Sequence, residues 1–154
     1  MAGKIEARLR ELKIELPVSP TAVANYVPTV ESQGFLYISG QISIRPGGEK
    51  AIGRLSLLRD VDAGRKGAEI CAINLLAQAK AALGDLDRVK RVVKLTGFVN
   101  SSPEFTEQPK VINGASDLLV SVFGERGKHA RSSIGVAALP FNATVEVEAI
   151  LEIA

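Results

Sequence analysis

Apolar and polar positions alternate most cleanly in FLYISGQISI, residues 35–44. Leu36, Ile38, Ile42 and Ile44 fall on one face, and Tyr37, Ser39, Gln41 and Ser43 on the other. This period of two predicts a strand with one apolar and one mixed face. Before it, Ile5, Leu9 and Leu12 recur at helical spacing within residues 3–12, and Pro17 and Pro20 then interrupt the chain. After it, RPGGEK reads as a turn or flexible loop. Residues 62–83 predict the best helix, because alanine and straight-chain side chains dominate AEICAINLLAQAKAAL and Gly84 is placed to cap it. LDRVKRVVKLTGFVN predicts a strand over residues 89–99, its alternation blurred where Val92 and Val93 take opposite faces. A second helix, residues 110–123, carries Val111, Ala115, Leu118 and Val122 at three-to-four spacing, and Gly124 closes it. Two strands end the chain: residues 131–139 lead into a turn at Pro140 to Asn142, and residues 143–153 put Val145, Val147, Ala149, Leu151 and Ile153 on one face.

With minor pieces omitted, the order β-α-β-α-β-β predicts an α+β fold in one domain, with helices packed on one face of a mixed or mostly antiparallel sheet. The other face carries Tyr37, Ser39 and Gln41 from one strand and glutamates from the last. That mixture suits an oligomer interface or a ligand surface, with plain solvent exposure as the alternative.

Composition narrows the function classes. A chain of 154 residues with 46% hydrophobic and 23% charged residues can bury one good core. No apolar run is long enough to span a bilayer, and MAGKIEARLREL lacks the apolar middle of a signal peptide, so neither a membrane nor a secretory role is expected. A net charge of +2 does not argue for nucleic acid, and RVKRVVK lacks interleaved aromatic platforms. One Cys and one His make a zinc site of the usual composition improbable. Cys71, inside the alanine-rich helix, reads as buried packing, and a reducing cytoplasm is compatible. GRKG at 64–67 and RPGG at 45–48 match no P-loop or dinucleotide fingerprint.

Three positions carry candidate chemistry. Arg131 heads a strand next to the small residues Ser132, Ser133 and Gly135, which leave room for a carboxylate on its guanidinium; an ordinary surface ion pair is the alternative. Glu146 and Glu148 share a face and are either an acid–base pair or a solvated edge. A hairpin turning about Phe141 would separate Arg131 from Glu146 by roughly 15–17 Å, so the two would meet only across a subunit boundary. His129 has no nucleophile-elbow motif or orienting acid to serve and reads as a bystander to Arg131.

The segments ANYVP, YISGQISI, GDLDRVKRVVKLTGFVN, INGASDLL and ARSSIGVAALPFNATVEVEAI resemble, in order, the RidA/YjgF family of imine/enamine deaminases, formerly labelled endoribonuclease L-PSP. The resemblance covers residues 20–154 and points to a longer branch, with residues 1–20 as an N-terminal helical extension and 21–154 as the core. It implies a chorismate-mutase-like fold, a cytoplasmic homotrimer with clefts between subunits, and cofactor-independent hydrolysis of small 2-imino acids such as 2-iminobutanoate and 2-iminopropanoate. It implies no metal, no nucleic acid and no membrane partner. By resemblance Arg131 clamps the substrate carboxylate, Glu146 and Tyr26 join it as catalytic residues, and Ser39, Asn113 and Ser133 line the substrate site. The chain departs from the common pattern in three places: Ser133 stands where common members have cysteine, ANY replaces GPY, and a short insertion precedes Asn113. A non-enzymatic binding protein for a carboxylated metabolite is the first alternative reading, and an endoribonuclease the second.

Overall fold

The computed structural model describes residues 3–21, 23–56 and 60–154; the first two residues of the predicted extension lie outside them. Helix α1 (Lys4–Glu11) opens the chain, followed by strands β1 (Thr29–Ser32) and β2 (Phe35–Ile42), helix α2 (Val61–Leu83), strand β3 (Val89–Asn100), helix α3 (Gln108–Phe123), and strands β4 (Ala130–Val136) and β5 (Val145–Ile153). The predicted helices all form, and Gly84 and Gly124 end α2 and α3 with φ of 74° and 64°. β1 is the strand that the hydrophobic pattern leaves out; it is short, and three of its four residues are exposed.

The sheet order is β1-β2-β5-β3-β4, antiparallel except for the β3–β4 pair, which is parallel. This corrects the expected hairpin. β4 and β5 do not pair with each other; β3 lies between them, and the turn at Pro140–Asn142 carries the chain across it. The alternation of β2 is corrected too. A register shift between Ile38 and Gln41 places Ile38 opposite Ala149, Gln41 opposite Val147 and Ile42 opposite Glu146. The extra residue moves Gln41 and Ser43 to the helix side and turns Ile42 to the open face. Two register shifts in β3, beside Val89 and Val92, explain its blurred alternation and let Val89, Val92 and Leu95 all face the core.

Helices α2 and α3 cover one face of the sheet. α2 is apolar around most of its circumference because it lies between the sheet and α3, burying Ala68, Cys71, Ala72, Leu75, Leu76 and Ala79. The two helices touch closely at Gly114, where any Cβ would collide with the Arg65 carbonyl. Helix α1 adds Ile5 and Leu9 to the same core. Its first N–H groups, on Lys4 and Ile5, each donate to the Asp87 carboxylate at 2.8 Å, which supplies the cap that α1 lacks locally. No helix of the described residues is long and apolar enough to cross a membrane.

Candidate functional site

Two groups of candidate residues form, one on each face of the sheet. Arg131 lies opposite Leu95, which in turn lies opposite the buried Ala149, so Arg131 faces the helices. Glu146 lies opposite Phe98, which lies opposite Ile134, and this row belongs to the open face. The two Cα atoms are two strands apart and three ladder positions offset, about 14 Å, and their side chains diverge. Within one chain Arg131 and Glu146 do not share a site.

The first group is held by α3 and β4. Arg131 Nη1 donates to Asn113 Oδ1 at 2.8 Å and to Ser116 Oγ at 3.1 Å, and Nη2 donates to the Pro109 carbonyl at 3.3 Å. Asn113 and Ser116 are three residues apart on one helix and therefore share a face toward β4. Ser133 and Gly135 follow on the same face of β4 as Arg131, while the exposed Ser132 points to the other. The Ser133 hydroxyl is buried without a partner among the described residues. No carboxylate among the described residues pairs with Arg131, so neutral acceptors orient a cation whose charge stays uncompensated.

His129, read from the sequence as a bystander, is joined to this group by hydrogen bonds. Its Nδ1 lies 2.6 Å from the Gly127 carbonyl and its Nε2 lies 2.8 Å from Ser116 Oγ. The signal for Ser116 was in the sequence, as the residue one helical turn beyond Asn113. The signal for His129 was its two-residue spacing from Arg131, which puts both on one side of the strand entry. Burial lowers the affinity of His129 for a proton, the Gly127 carbonyl opposes that, and the positive charge of Arg131 lowers it further.

The second group surrounds a cleft of about 350 Å³ lined by Tyr26, Ser39, Gly40, Asn74, Phe141 and Glu146 among others. The β2 register shift positions it. There the Ser39 N–H donates to the Pro28 carbonyl at 2.9 Å and the Ser39 hydroxyl to the Val27 carbonyl at 3.0 Å, which ties the segment bearing Tyr26 over the cleft. Gly40 lies directly against the Glu146 carboxylate, so a Cβ at position 40 would overlap it. Burial raises the Glu146 proton affinity, and the neighbouring Glu148 charge raises it further. Among the described residues the Glu146 carboxylate has no hydrogen-bond partner. Asn74, missed by the sequence reading, donates to the Ile42 and Ile44 carbonyls at 3.1 Å each and leaves its own Oδ1 buried without a partner among the described residues. Tyr26 is 59% exposed and Phe141 is 81% exposed, both beside the cleft.

The open face continues beyond Glu146 into a second hollow lined by Val30, Tyr37, Lys94, Thr96, Glu148 and Ile150. Across the open face Val30, Tyr37 and Ile134 expose about half of their surfaces, at 50%, 45% and 45%. Cys71 is fully buried against the Val145 carbonyl, and burial followed by the Glu146 charge raises its thiol far from reactivity. Among the described residues no group of three or more His, Cys, Asp or Glu side chains is gathered for a metal ion.

Residues 6–153 match the model of a family described as "YjgF/chorismate_mutase-like, putative endoribonuclease". Protein TCP17 of Trypanosoma cruzi is 51% identical over 153 residues, covering 99% of this chain and 96% of its own. A 2-iminobutanoate/2-iminopropanoate deaminase of Dermatophagoides farinae is 28% identical over 140 residues, covering 91% and 94%. The crystal structure of Atu1372 from Agrobacterium tumefaciens, a protein of unknown function, superimposes with a TM-score of 0.88 at 52% identity, covering 97% of this chain and 92% of that one.

Proposed function

The chain belongs to the YjgF/RidA family, and from that premise we propose that it hydrolyses small 2-imino acids to 2-oxo acids and ammonia. The observation that carries the reading is Arg131: a guanidinium oriented by Asn113, Ser116 and the Pro109 carbonyl, with no carboxylate among the described residues paired to it. Such a cation suits the carboxylate shared by 2-iminobutanoate and 2-iminopropanoate. The deaminase of Dermatophagoides farinae among the relatives supports the same substrate class.

Catalysis then needs a water and a base on the imine carbon. Glu146 is our candidate base: burial and the Glu148 charge raise its proton affinity, and its carboxylate has no hydrogen-bond partner among the described residues. Because Arg131 and Glu146 occupy opposite faces of one sheet, they cooperate only if different subunits supply them. We therefore place the site between subunits of a homotrimer, with the half-apolar open face around Val30, Tyr37 and Ile134 as the contact surface. With the imine nitrogen protonated, water adds to the C=N carbon as one of its protons passes to Glu146, giving a neutral carbinolamine. Glu146 returns that proton to nitrogen, and as the C–N bond breaks the hydroxyl proton passes to Glu146, so that ammonia and a 2-oxo acid leave and Glu146 then gives its proton to ammonia or solvent. Tyr26 and Ser39 would close the cleft over the side chain of the substrate, and Ser133 would line the wall beside Arg131. Because free imines hydrolyse in water, positioning and electrostatics suffice, and no cofactor is called for.

The test generates 2-iminobutanoate in situ and follows release of 2-oxobutanoate. The expected result is acceleration by the wild type that Arg131→Ala removes. No acceleration, or full activity in Arg131→Ala, overturns the deaminase reading; retained binding of 2-oxobutanoate without acceleration would instead identify a metabolite-binding protein. Light scattering at micromolar concentration checks the assembly, since a monomer would remove the geometry in which Arg131 and Glu146 meet. An endoribonuclease reading gains nothing from the site, where the sole histidine faces a serine and a carbonyl rather than a second acid–base group.

A further inference from the structure

We propose that His129 and Ser116 are positioning residues, holding the Arg131 guanidinium so that its Nε–Nη2 edge is the one offered to a carboxylate. The inference rests on the assignment of Arg131 as the carboxylate anchor and specifies how that anchor is aimed. Guanidinium carries five N–H donors. Both Nη1 hydrogens are engaged, by Asn113 Oδ1 and Ser116 Oγ, and one Nη2 hydrogen goes to the Pro109 carbonyl. An end-on pairing across Nη1 and Nη2 is therefore closed. Nε–H and one Nη2–H are unpartnered among the described residues; taking the Pro109 carbonyl to occupy the Nη2 hydrogen that faces Nη1, the Nε–Nη2 edge is the one left for a bidentate carboxylate.

What keeps the other edge closed is a directional chain. A carbonyl only accepts, so the 2.6 Å contact with Gly127 puts the proton of a neutral imidazole on Nδ1. Nε2 is then an acceptor, and the Ser116 hydroxyl donates to it at 2.8 Å. With its one proton directed at His129, Ser116 Oγ presents a lone pair to Arg131 Nη1. Each link fixes the next: Gly127 sets the tautomer, the tautomer sets the hydroxyl, and the hydroxyl holds the guanidinium. Gly127 is buried, and a side chain there would collide with the Leu119 carbonyl and Val120 Cα, so the close packing of this turn on α3 requires glycine. The other charges nearby are engaged elsewhere, Asp117 with Arg65 at 3.2 Å and Lys128 with Glu125 at 2.9 Å. That leaves Arg131 as the charged group that bears on the ring.

The arrangement makes a kinetic prediction that plain packing does not. His129→Ala and Ser116→Ala should each raise KM for 2-iminobutanoate by about tenfold, the scale of one oriented hydrogen bond, while kcat moves by less than about twofold. Because the two act as one chain, the double variant should be no worse than either single variant. His129→Gln, whose amide oxygen can still accept from Ser116, should recover most of the loss. Titration with 2-oxobutanoate reads the same changes in affinity without turnover. Nuclear magnetic resonance gives a readout free of any ligand: the single imidazole should show the Nδ1–H tautomer, and the Arg131 Nη1 signals should show slow rotation that Ser116→Ala abolishes. Wild-type KM in both alanine variants, an Nε2–H tautomer, or unchanged Nη1 rotation in Ser116→Ala overturns the proposal. If His129→Ala fails to fold, His129→Gln and Ser116→Ala still decide it. Failure of the deaminase reading is separable: the wild type would then leave imine hydrolysis unaccelerated while the tautomer and rotation measurements stand or fall alone.

Discussion

The two faces of the sheet treat their polar groups in opposite ways. On the helix side, Arg131 has three protein acceptors, and Ser116 is itself fixed by His129. On the open side, Glu146 has no hydrogen-bond partner among the described residues, and Tyr26 stands largely in solvent. One half of the candidate site is preorganised by the fold of a single chain; the other is a carboxylate held ready at the rim of a cleft. A binding anchor must be rigid before substrate arrives, since ordering it later subtracts from affinity. A proton-transfer group needs instead a shifted proton affinity, and partial burial beside a like charge supplies that without a partner.

The strongest way to break this contrast is to remove the anchor. Arg131→Ala should lower kcat/KM by about a thousandfold, as expected when a charge-assisted bidentate contact is lost, and Arg131→Lys should recover only part because lysine cannot present a fork. Steady-state kinetics on 2-iminobutanoate measures both. Loss confined to kcat in Arg131→Ala would contradict the anchoring role.

Glu146→Gln comes next, with an expected fall in kcat of about a hundredfold from loss of a general base. Stability should move the other way. Glu146 binds its proton more tightly folded than unfolded, so it opposes folding increasingly as pH rises from its unfolded value through its folded one, and above both the cost is complete. Glu146→Gln should therefore melt higher than the wild type at neutral pH, with the difference closing in acid below the ordinary carboxylate range. Thermal denaturation across that window checks the sign. A variant that loses both activity and stability would mean that Glu146 serves the fold.

How much of this was legible in the sequence follows from which forces act locally. The helices could be read because apolar spacing and the terminal glycines Gly84 and Gly124 are local signals. The strand partners could not. β4 and β5 flank a turn at Pro140–Asn142 that looks like a hairpin, yet β3 inserts between them through contacts more than thirty residues away. That pairing sets the path between Arg131 and Glu146: Arg131 faces the helices either way, but it lies across β3 from β5 rather than beside it. The extra residue near Gly40 was hidden as well: it moved Gln41 to the helix side and Ile42 to the open face. Arg131 and Asn113 were named by resemblance, but Ser116 and His129 matter only through a chain of hydrogen bonds that no motif spells out.

Gly40→Ala should sharpen the comparison with a milder effect, about tenfold in kcat, on the scale expected when a reacting group is misplaced. Its new methyl would overlap the end of the Glu146 side chain, which can swing away, so the carboxylate moves while the backbone stays. Affinity for 2-oxobutanoate should hold within about twofold, because the carboxylate anchor Arg131 is held by α3 through Asn113 and Ser116 and not by the strand that bears Gly40. A parallel loss of affinity would show that the two faces are less independent than the geometry makes them.

The smallest expected effect is on the proton of His129. Burial and the Arg131 charge disfavour imidazolium, so the single histidine signal should titrate below the ordinary range for this side chain. Arg131→Ala removes the like charge and opens the ring to water, and both changes should move the midpoint upward. In the wild type the neutral ring contributes stability that is complete above the ordinary histidine value and is lost as pH falls toward the lowered one. The helix-side half should therefore loosen as pH falls below the ordinary histidine value, whereas protonation of Glu146 on the open side, as pH falls toward the ordinary carboxylate value, favours the fold. Opposite responses of the two faces to the same drop in pH, read from His129 shifts and from melting of Glu146→Gln, would show that preorganisation and poise are set independently on the two sides of one sheet.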